Sequence, residues 1–244
     1  MASSLTAAER GDDGLPKPIS LRFEDTIADL WRERINHVVW DTYAGVPLVK
    51  FPEDLRVYEH LIWLSRPQVI IELGTHAGGG ALWLRDRLRT LRSYGATDSV
   101  AVVGVDIDIS AARSALGAVD PDYAEEITLL EGDVLDPGLA DQVASHVPQG
   151  ARCMVIDDSA HTAETTMSAL RGFSKFVGPG GFFIVEDTCG DVEEMRVYDW
   201  WPRGSLAAID EWLASPEGAD FTRRDDLELY GVTCHPGGFL QRRG

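Results

Sequence analysis

Val155-Ile-Asp-Asp-Ser-Ala-His161, read together with Val185-Glu-Asp-Thr188, decides the fold of this chain. Each stretch begins as a short apolar run and ends in carboxylates. Such a run reads as a buried parallel strand that delivers polar groups at its carboxyl end. In open α/β sheets that end is where ligands bind. Asp157 or Asp158, Glu186 and Asp187 then converge, with His161 beside them and placed to act as a base. Hard oxygen donors without a nearby cysteine pair suit Mg²⁺, Ca²⁺ or Mn²⁺ better than structural zinc. If residues 162–175 form the crossover helix, the two strands are sheet neighbours about 5 Å apart. One geometric difficulty is visible. Neighbouring residues of a regular strand point to opposite faces, so Glu186 and Asp187 can share an ion only where the backbone leaves strand geometry.

Outward from this pair, strands and helices alternate from Gln68 onward. Strands are expected at Val69–Leu73, Val100–Val105, Ile127–Leu130, Cys153–Ile156 and Gly181–Val185, and helices from near Gly78, Ser110, Pro137 and Thr162. Alternation of this kind implies βαβ units, a mostly parallel sheet and a Rossmann-like α/β fold. An irregular segment, Thr188 to Gly204, holds Tyr198, Trp200 and Trp201, and a helix is expected over Ser205–Leu213. Asp220–Arg223, Glu228–Thr233 and Gly238–Gln241 read as terminal strands, in part antiparallel. Before the first strand, Ile27, Leu30, Trp31, Ile35, Val38 and Val39 recur at helical spacing, and Pro52 opens a second helix that ends before Pro67. This portion, residues 21–66, is expected to be a lid, an oligomerisation arm or an extra layer on the core. Residues 1–20 are expected to be a disordered tail, and 21–244 a single domain.

The first strand runs into Glu72-Leu-Gly-Thr-His-Ala-Gly-Gly-Gly80 and then a helix. Glycines here let the backbone turn sharply and approach a ligand, or simply pack helix on strand. His76 breaks the dinucleotide fingerprint G-x-G-x-x-G, whose second glycine makes room for a pyrophosphate. Glu72-x-Gly74-x-x-x-Gly78 instead resembles the first motif of S-adenosylmethionine (SAM)-dependent methyltransferases. Glu72, Gly74, Thr75, His76 and Gly78 are therefore cofactor-site candidates. Asp106 ends the second strand, where a carboxylate can accept from both ribose hydroxyls; Asp108 is the weaker substitute. Asp133 ends the third strand, either beside an adenine or as a turn and helix cap. Asp157 is assigned to the cofactor side or to the sheet packing.

Composition limits the alternatives. The chain has 244 residues, 44% of them hydrophobic, enough for one sizeable core. A net charge of −18 argues against nucleic-acid or anionic-membrane partners, which need a basic footprint. No apolar stretch is long enough to span a bilayer, and the N-terminus resembles neither a secretory signal nor a transit peptide. Cys153, Cys189 and Cys234 are odd in number and widely spaced, so a disulfide framework is not expected and the cytoplasm is the expected setting.

Trp40-Asp-x-x-x-Gly-Val-Pro47, Lys50-x-Pro52-x-Asp54-Leu, the Glu72–Gly80 turn, Val185-Glu-Asp187 and Pro236-Gly-Gly-Phe239 together resemble the cephalosporin hydroxylase family. Despite that name, the family comprises SAM-dependent methyltransferases, including cephamycin-pathway enzymes and rhamnosyl O-methyltransferases. The resemblance covers nearly the whole chain after about residue 20. Related macrolide-sugar O-methyltransferases use Asp-x-x-His followed by a Glu-Asp pair. Carried over by resemblance, Asp158, Glu186 and Asp187 would be ligands of Mg²⁺ (or Mn²⁺), and His161 the catalytic base.

The resulting expectation is a metal-dependent O-methyltransferase acting on a small natural product, most directly a deoxysugar hydroxyl of a glycosylated antibiotic, and working as a homo-oligomer. A β-lactam or other secondary metabolite is the alternative acceptor. A metal-dependent oxidoreductase is disfavoured, since there is neither a His-x-Asp/Glu facial-triad motif nor a dinucleotide fingerprint.

Overall fold

The computed structural model describes residues 18–20 and 22–244. The expected disorder of the N-terminal tail falls almost wholly outside the described residues. Helix α1, Ile27–Val38, starts at a capping box: the Thr26 hydroxyl accepts from the Asp29 N–H, and the Asp29 carboxylate accepts from the Thr26 N–H. A short hairpin of β1, Thr42–Tyr43, and β2, Val46–Pro47, follows around Gly45. Helix α2, Pro52–Ser65, opens on a proline whose missing N–H costs nothing at that position.

From there the alternation holds: β3 (Val69–Leu73), α3 (Gly79–Ser93), β4 (Val102–Asp106), α4 (Ser110–Val119), β5 (Ile127–Glu131), α5 (Leu139–Ala144), β6 (Cys153–Asp157), α6 (Ala163–Phe173) and β7 (Phe182–Val185). The chain ends with α7 (Ser205–Ala214), β8 (Phe221–Arg223) and β9 (Phe239–Arg242). The sheet has seven strands in the order β5-β4-β3-β6-β7-β9-β8, with β9 antiparallel to both of its neighbours. This is the Rossmann-like sheet that the alternation predicts.

Helices cover both faces, and residue parity assigns each side chain to one of them. Ile70, Val102, Met154, Ile156 and Ile184 pack with Val57, Tyr58, Leu61 and Ile62 of α2 and with Leu84 and Leu88 of α3. Ile71, Val103, Val155 and Val185 pack on the opposite face with Leu170 of α6 and Trp212 of α7. Each buried Leu or Ile at these contacts contributes about 1.5–3 kcal/mol. Of the roles expected for the N-terminal helices, α2 takes that of a core layer.

One expected strand is absent, and one pairing beyond the expected elements is present. Glu228–Thr233 forms no strand, because Thr233 is drawn instead to α2, where its hydroxyl donates to Asp54 at 2.5 Å. The β1–β2 hairpin was not foreseen; its pairing turns on Gly45 at φ 84° rather than on strand periodicity.

Register positions the site. Leu73 pairs with both Val105 and Asp157, and Asp157 pairs with Val185. The carboxyl ends of β4, β3, β6 and β7 are therefore level, and the residues that follow them emerge along one edge. The helices after β3 and β6 cover opposite faces, so the crevice opens between these strands.

Candidate active site

A cavity of about 470 Å³ lies along this edge, a volume typical of small-molecule sites. Gly74, Thr75, His76, Gly79 and Gly80 form one wall, Asp106 and Asp133 another, and Asp158 and Asp187 the far rim. The glycines are fixed by close approach. Gly74 sits at φ 91°, and a Cβ there would lie 1.9 Å from the Asp158 carbonyl oxygen. A Cβ on Gly79 would meet the Pro47 carbonyl at 2.0 Å, and one on Gly80 the Glu72 carboxylate at 2.1 Å. Gly78 differs from its expected role. It does not line the cavity; it turns the chain into α3 at φ 87°, and its open side faces Leu116 of α4.

Acids at the strand ends have distinct tasks. Glu72 is buried on the α2–α3 face and accepts from the Thr75 hydroxyl at 2.8 Å. Burial raises its carboxyl above the usual range, with Lys50 opposing. Asp106 accepts the His76 N–H at 2.8 Å, which holds the glycine-rich turn against β4. Asp133 lines the cavity and also closes a turn, accepting the Leu135 N–H at 2.9 Å. Asp157, expected on the cofactor side or in the sheet packing, takes the packing position. It is buried off the cavity, its Oδ1 accepts from the Ser159 hydroxyl at 2.7 Å, and burial pushes its carboxyl up to about 6.

At the rim, His161 Nε2 lies 3.6 Å from Asp158 Oδ1 and 3.7 Å from Asp187 Oδ2. The grouping does not depend on a helical turn between 158 and 161. The segment is a loop in which His161 takes φ 54° just before Thr162 caps α6. Asp187 likewise sits at φ 53°, ψ 25°, so the backbone leaves strand geometry where the sequence required it. His76, His161 and Asp187 are all non-glycine residues in the left-handed region, a strained conformation that recurs at functional sites.

The carboxylates flanking this rim are tied to a residue that the sequence reading left outside the site. Lys50 follows the β1–β2 hairpin, is 6% exposed, and donates to Asp158 Oδ2 and Glu186 Oε1, each at 2.7 Å. Glu72 Oε1 is 3.8 Å from the same ammonium. Glu186 also accepts from the Tyr58 hydroxyl at 2.7 Å. Tyr58 in turn meets His235 Nε2 at 3.0 Å, and His235 Nδ1 accepts the Asp187 N–H at 3.0 Å. With Nδ1 accepting, the Nε2–H donates to Tyr58, so the hydrogen bonds run in one direction into Glu186. Burial works against charge on Glu186, but the Lys50 ammonium, with the hydrogen bond from Tyr58, outweighs it and holds its carboxyl below the ordinary value. Asp158 is held well above, chiefly by burial and by the Glu186 charge. The Lys50-x-Pro52-x-Asp54 motif was the only sequence signal for this network. Asp54 at its far end accepts from Thr233 and from the Cys234 N–H.

Thr188 to Gly204 is pinned at both ends beside the rim. Cys189 N–H donates to the Cys234 carbonyl at 3.0 Å, and Gly204 bridges Thr162, the residue after His161. Between them Tyr198 stacks on Trp200 at 5.4 Å, and Trp200 remains 74% exposed.

The family model for Rhamnosyl O-methyltransferase/CmcI matches residues 36–243. The chain belongs to this family. It is therefore by class a SAM-dependent O-methyltransferase. The rhamnosyl O-methyltransferase of Mycobacterium tuberculosis (strain ATCC 25618 / H37Rv) is 23% identical over 230 residues, covering 91% of this chain and 87% of its own. The Mycobacterium leprae (strain TN) enzyme of the same name is 23% identical over 226 residues, covering 90% of this chain and 92% of its own. A CmcI structure described with Mg and SAM shares the fold at a TM-score of 0.62, with 24% identity and coverage of 94% and 90% of the two chains. The O-methyltransferase TomG from Streptomyces achromogenes, in complex with SAM, does so at 0.53, with 17% identity and coverage of 81% and 83%.

Proposed function

We propose that this member of the Rhamnosyl O-methyltransferase/CmcI family methylates a hydroxyl of a small natural product, most directly a deoxysugar presenting a vicinal diol, with a divalent cation in the site. The observation that carries this reading is that Asp158 and Asp187, bracketing His161, line the same cavity as the Gly74–Gly80 turn and Asp106. The cavity lining also fits the methyl donor. Glu72, Asp106, Asp133, Asp158 and Asp187 face it against Lys50 alone, and a cleft so charged concentrates a sulfonium cation. The demethylated product has lost that charge and is held less tightly.

Asp106 is the ribose partner: its Oδ2 is fixed by the His76 N–H and its Oδ1 accepts the Asp108 N–H only at 3.4 Å, which leaves lone pairs for the hydroxyls. Asp158 and Asp187 offer hard oxygen donors that would hold Mg²⁺ or Mn²⁺, and Glu186 would join them from the buried side, its Oε1 being committed to Lys50 and Tyr58 and its Oε2 lying 3.9 Å from His235 Nε2. SAM supplies an electrophilic methyl group, and the cation raises the acidity of a bound hydroxyl. His161 Nε2 accepts the hydroxyl proton, and the two carboxylates beside it stabilise the imidazolium that results. A base so placed contributes roughly 10²–10⁴-fold. Trp200 and Tyr198, on a segment anchored at Asp187 and Thr162, provide an apolar face for the acceptor ring and exclude water.

The same reading takes the enzyme as a cytoplasmic homo-oligomer without nucleic-acid or membrane partners. Exposed Trp63 and Leu64 supply apolar surface for self-association, the net charge is −18, and no helix among the described residues is long and apolar enough to cross a membrane. Incubation with SAM, Mg²⁺ and a panel of deoxysugar glycosides tests it, with mass spectrometry reading the added methyl. Methylated glycoside with Mg²⁺ and none after EDTA is the expected result. Turnover that is indifferent to chelation removes the metal, and failure to bind SAM removes the whole reading.

A further inference from the structure

We propose that Lys50 is a positioning residue of this site: its ammonium, clasped between Asp158 and Glu186, orients both carboxylates and holds down their affinity for the divalent cation they face. The inference rests on the metal reading above and deepens it.

The lysine is built in, not loosely placed. Leu48 and Phe51, both buried, anchor the chain on either side of it, and Phe51 packs on Trp31 at 5.3 Å. The Leu48 N–H donates to the Asp41 carbonyl at 3.0 Å, and Pro52 starts α2 immediately beyond. Room for the side chain comes from Gly80, where a Cβ would approach Lys50 Cε to 3.0 Å. Fixing a long side chain out of water has an entropic and a desolvation cost, so a lysine held here must be offset by the charges it meets.

Those charges are the ones assigned to the ion. Nζ binds Asp158 through Oδ2 and Glu186 through Oε1, which leaves Asp158 Oδ1 beside His161 and Asp187. Asp158 is thus divided, one oxygen on the ammonium and the other toward the rim, while Glu186 keeps Oε1 on the ammonium and its Oε2 3.9 Å from His235 Nε2. An ammonium and a divalent cation on the same two carboxylates repel each other, because both are positive and only a carboxylate's width apart. Lys50 therefore fixes geometry at the expense of ion affinity. Weak ion binding in turn lets the site load and unload as acceptor and product exchange.

Substitution separates this role from simple structural support. Lys50→Met keeps the length and removes the charge. In the folded variant the Mn²⁺ dissociation constant, read by calorimetry, should tighten by at least about tenfold, while kcat falls and the affinity for SAM stays within a few-fold. A structural lesion would loosen ion binding along with activity. The wild-type protein provides a second readout that needs no variant. Its lysines are Lys17, Lys50 and Lys175, so the Nζ resonance of the buried ammonium can be assigned by ¹⁵N NMR and followed during Mg²⁺ titration. It should shift in step with ion binding. Unchanged or weaker Mn²⁺ binding in folded Lys50→Met, or an Nζ resonance blind to saturating Mg²⁺, overturns the proposal while leaving the metal reading standing. No ion binding to the wild-type protein overturns both.

Discussion

The backbone of Asp158 lies directly against Gly74, so close that a Cβ on the glycine would stand 1.9 Å from the Asp158 carbonyl oxygen. The Asp158 N–H is bonded to the Leu73 carbonyl at 2.7 Å, so the glycine turn and the loop carrying the metal candidate are seated as one piece. The Gly74 turn and the Asp158 loop share a wall of backbone.

Gly74→Ala should therefore damage both functions together. The left-handed φ alone costs about 1–2 kcal/mol for an alanine, and the contact with backbone adds to it. Denaturant unfolding should show a loss of about 2 kcal/mol or more, with methyl transfer reduced beyond what the unfolded fraction explains. Wild-type stability in this variant would mean that the loop after β6 can move freely.

His161→Ala should retain SAM and metal binding while kcat falls about 10²-fold or more. The acidic limb of the pH–rate profile, where a general base is lost to protonation, is the discriminating measurement. A profile and a kcat like those of the wild type would return His161 to being only the residue that precedes the α6 cap.

Asp106 has two jobs that different substitutions separate. Asp106→Ala removes the proposed ribose partner and the staple on His76, whereas Asp106→Asn keeps a neutral acceptor for that N–H. Alanine should weaken SAM binding by about 1.5–3 kcal/mol, the scale of charge-assisted hydrogen bonds, and asparagine by less. Calorimetry on folded protein decides; equal and negligible effects would place the ribose elsewhere.

Asp157 and Asp158 make an internal control for the metal. Chelation should abolish turnover, Mg²⁺ or Mn²⁺ should restore it, and the ion should raise the melting temperature. Asp157→Asn keeps an oxygen for Ser159 and should retain metal dependence, whereas Asp158→Asn should lose it. An ion-induced thermal shift that survives Asp158→Asn intact would exclude this aspartate from the ligand set.

Asp191 controls the aromatic segment. Its carboxylate accepts the Gly204 and Leu206 N–H groups at 2.6 and 2.7 Å, capping α7 and closing the loop that carries Trp200. Asp191→Ala should cost about 0.5–2 kcal/mol of stability as a lost cap. If the loop forms the acceptor face, KM for the acceptor should rise while SAM affinity is unchanged. A variant that loses stability but keeps the acceptor KM would assign the segment to packing alone.

The sequence by itself determined the alternation of strands and helices, the level edge on which the acids emerge, and the closeness of Asp158 and His161. These follow from local rules: apolar runs of strand length, a glycine-rich turn before a helix, and acids at the points where apolar runs stop. It also showed that Glu186 and Asp187 could share a site only if the backbone broke away from strand geometry, and the left-handed Asp187 supplies that break. Tertiary structure alone decided which partners the acids take. Lys50 reaches Asp158 and Glu186 across 108 and 136 positions, and no local periodicity records a contact of that span. It likewise sent Asp157 behind the cavity, turned Gly78 toward Leu116, and drew Thr233 off a strand to Asp54, because these outcomes depend on which neighbour fills the space beside each residue. Buried charge must be paired, and the chain meets that requirement with whatever the fold brings near, which is why the Asp-x-x-His and Glu-Asp stretches do not themselves reveal that Lys50 joins them.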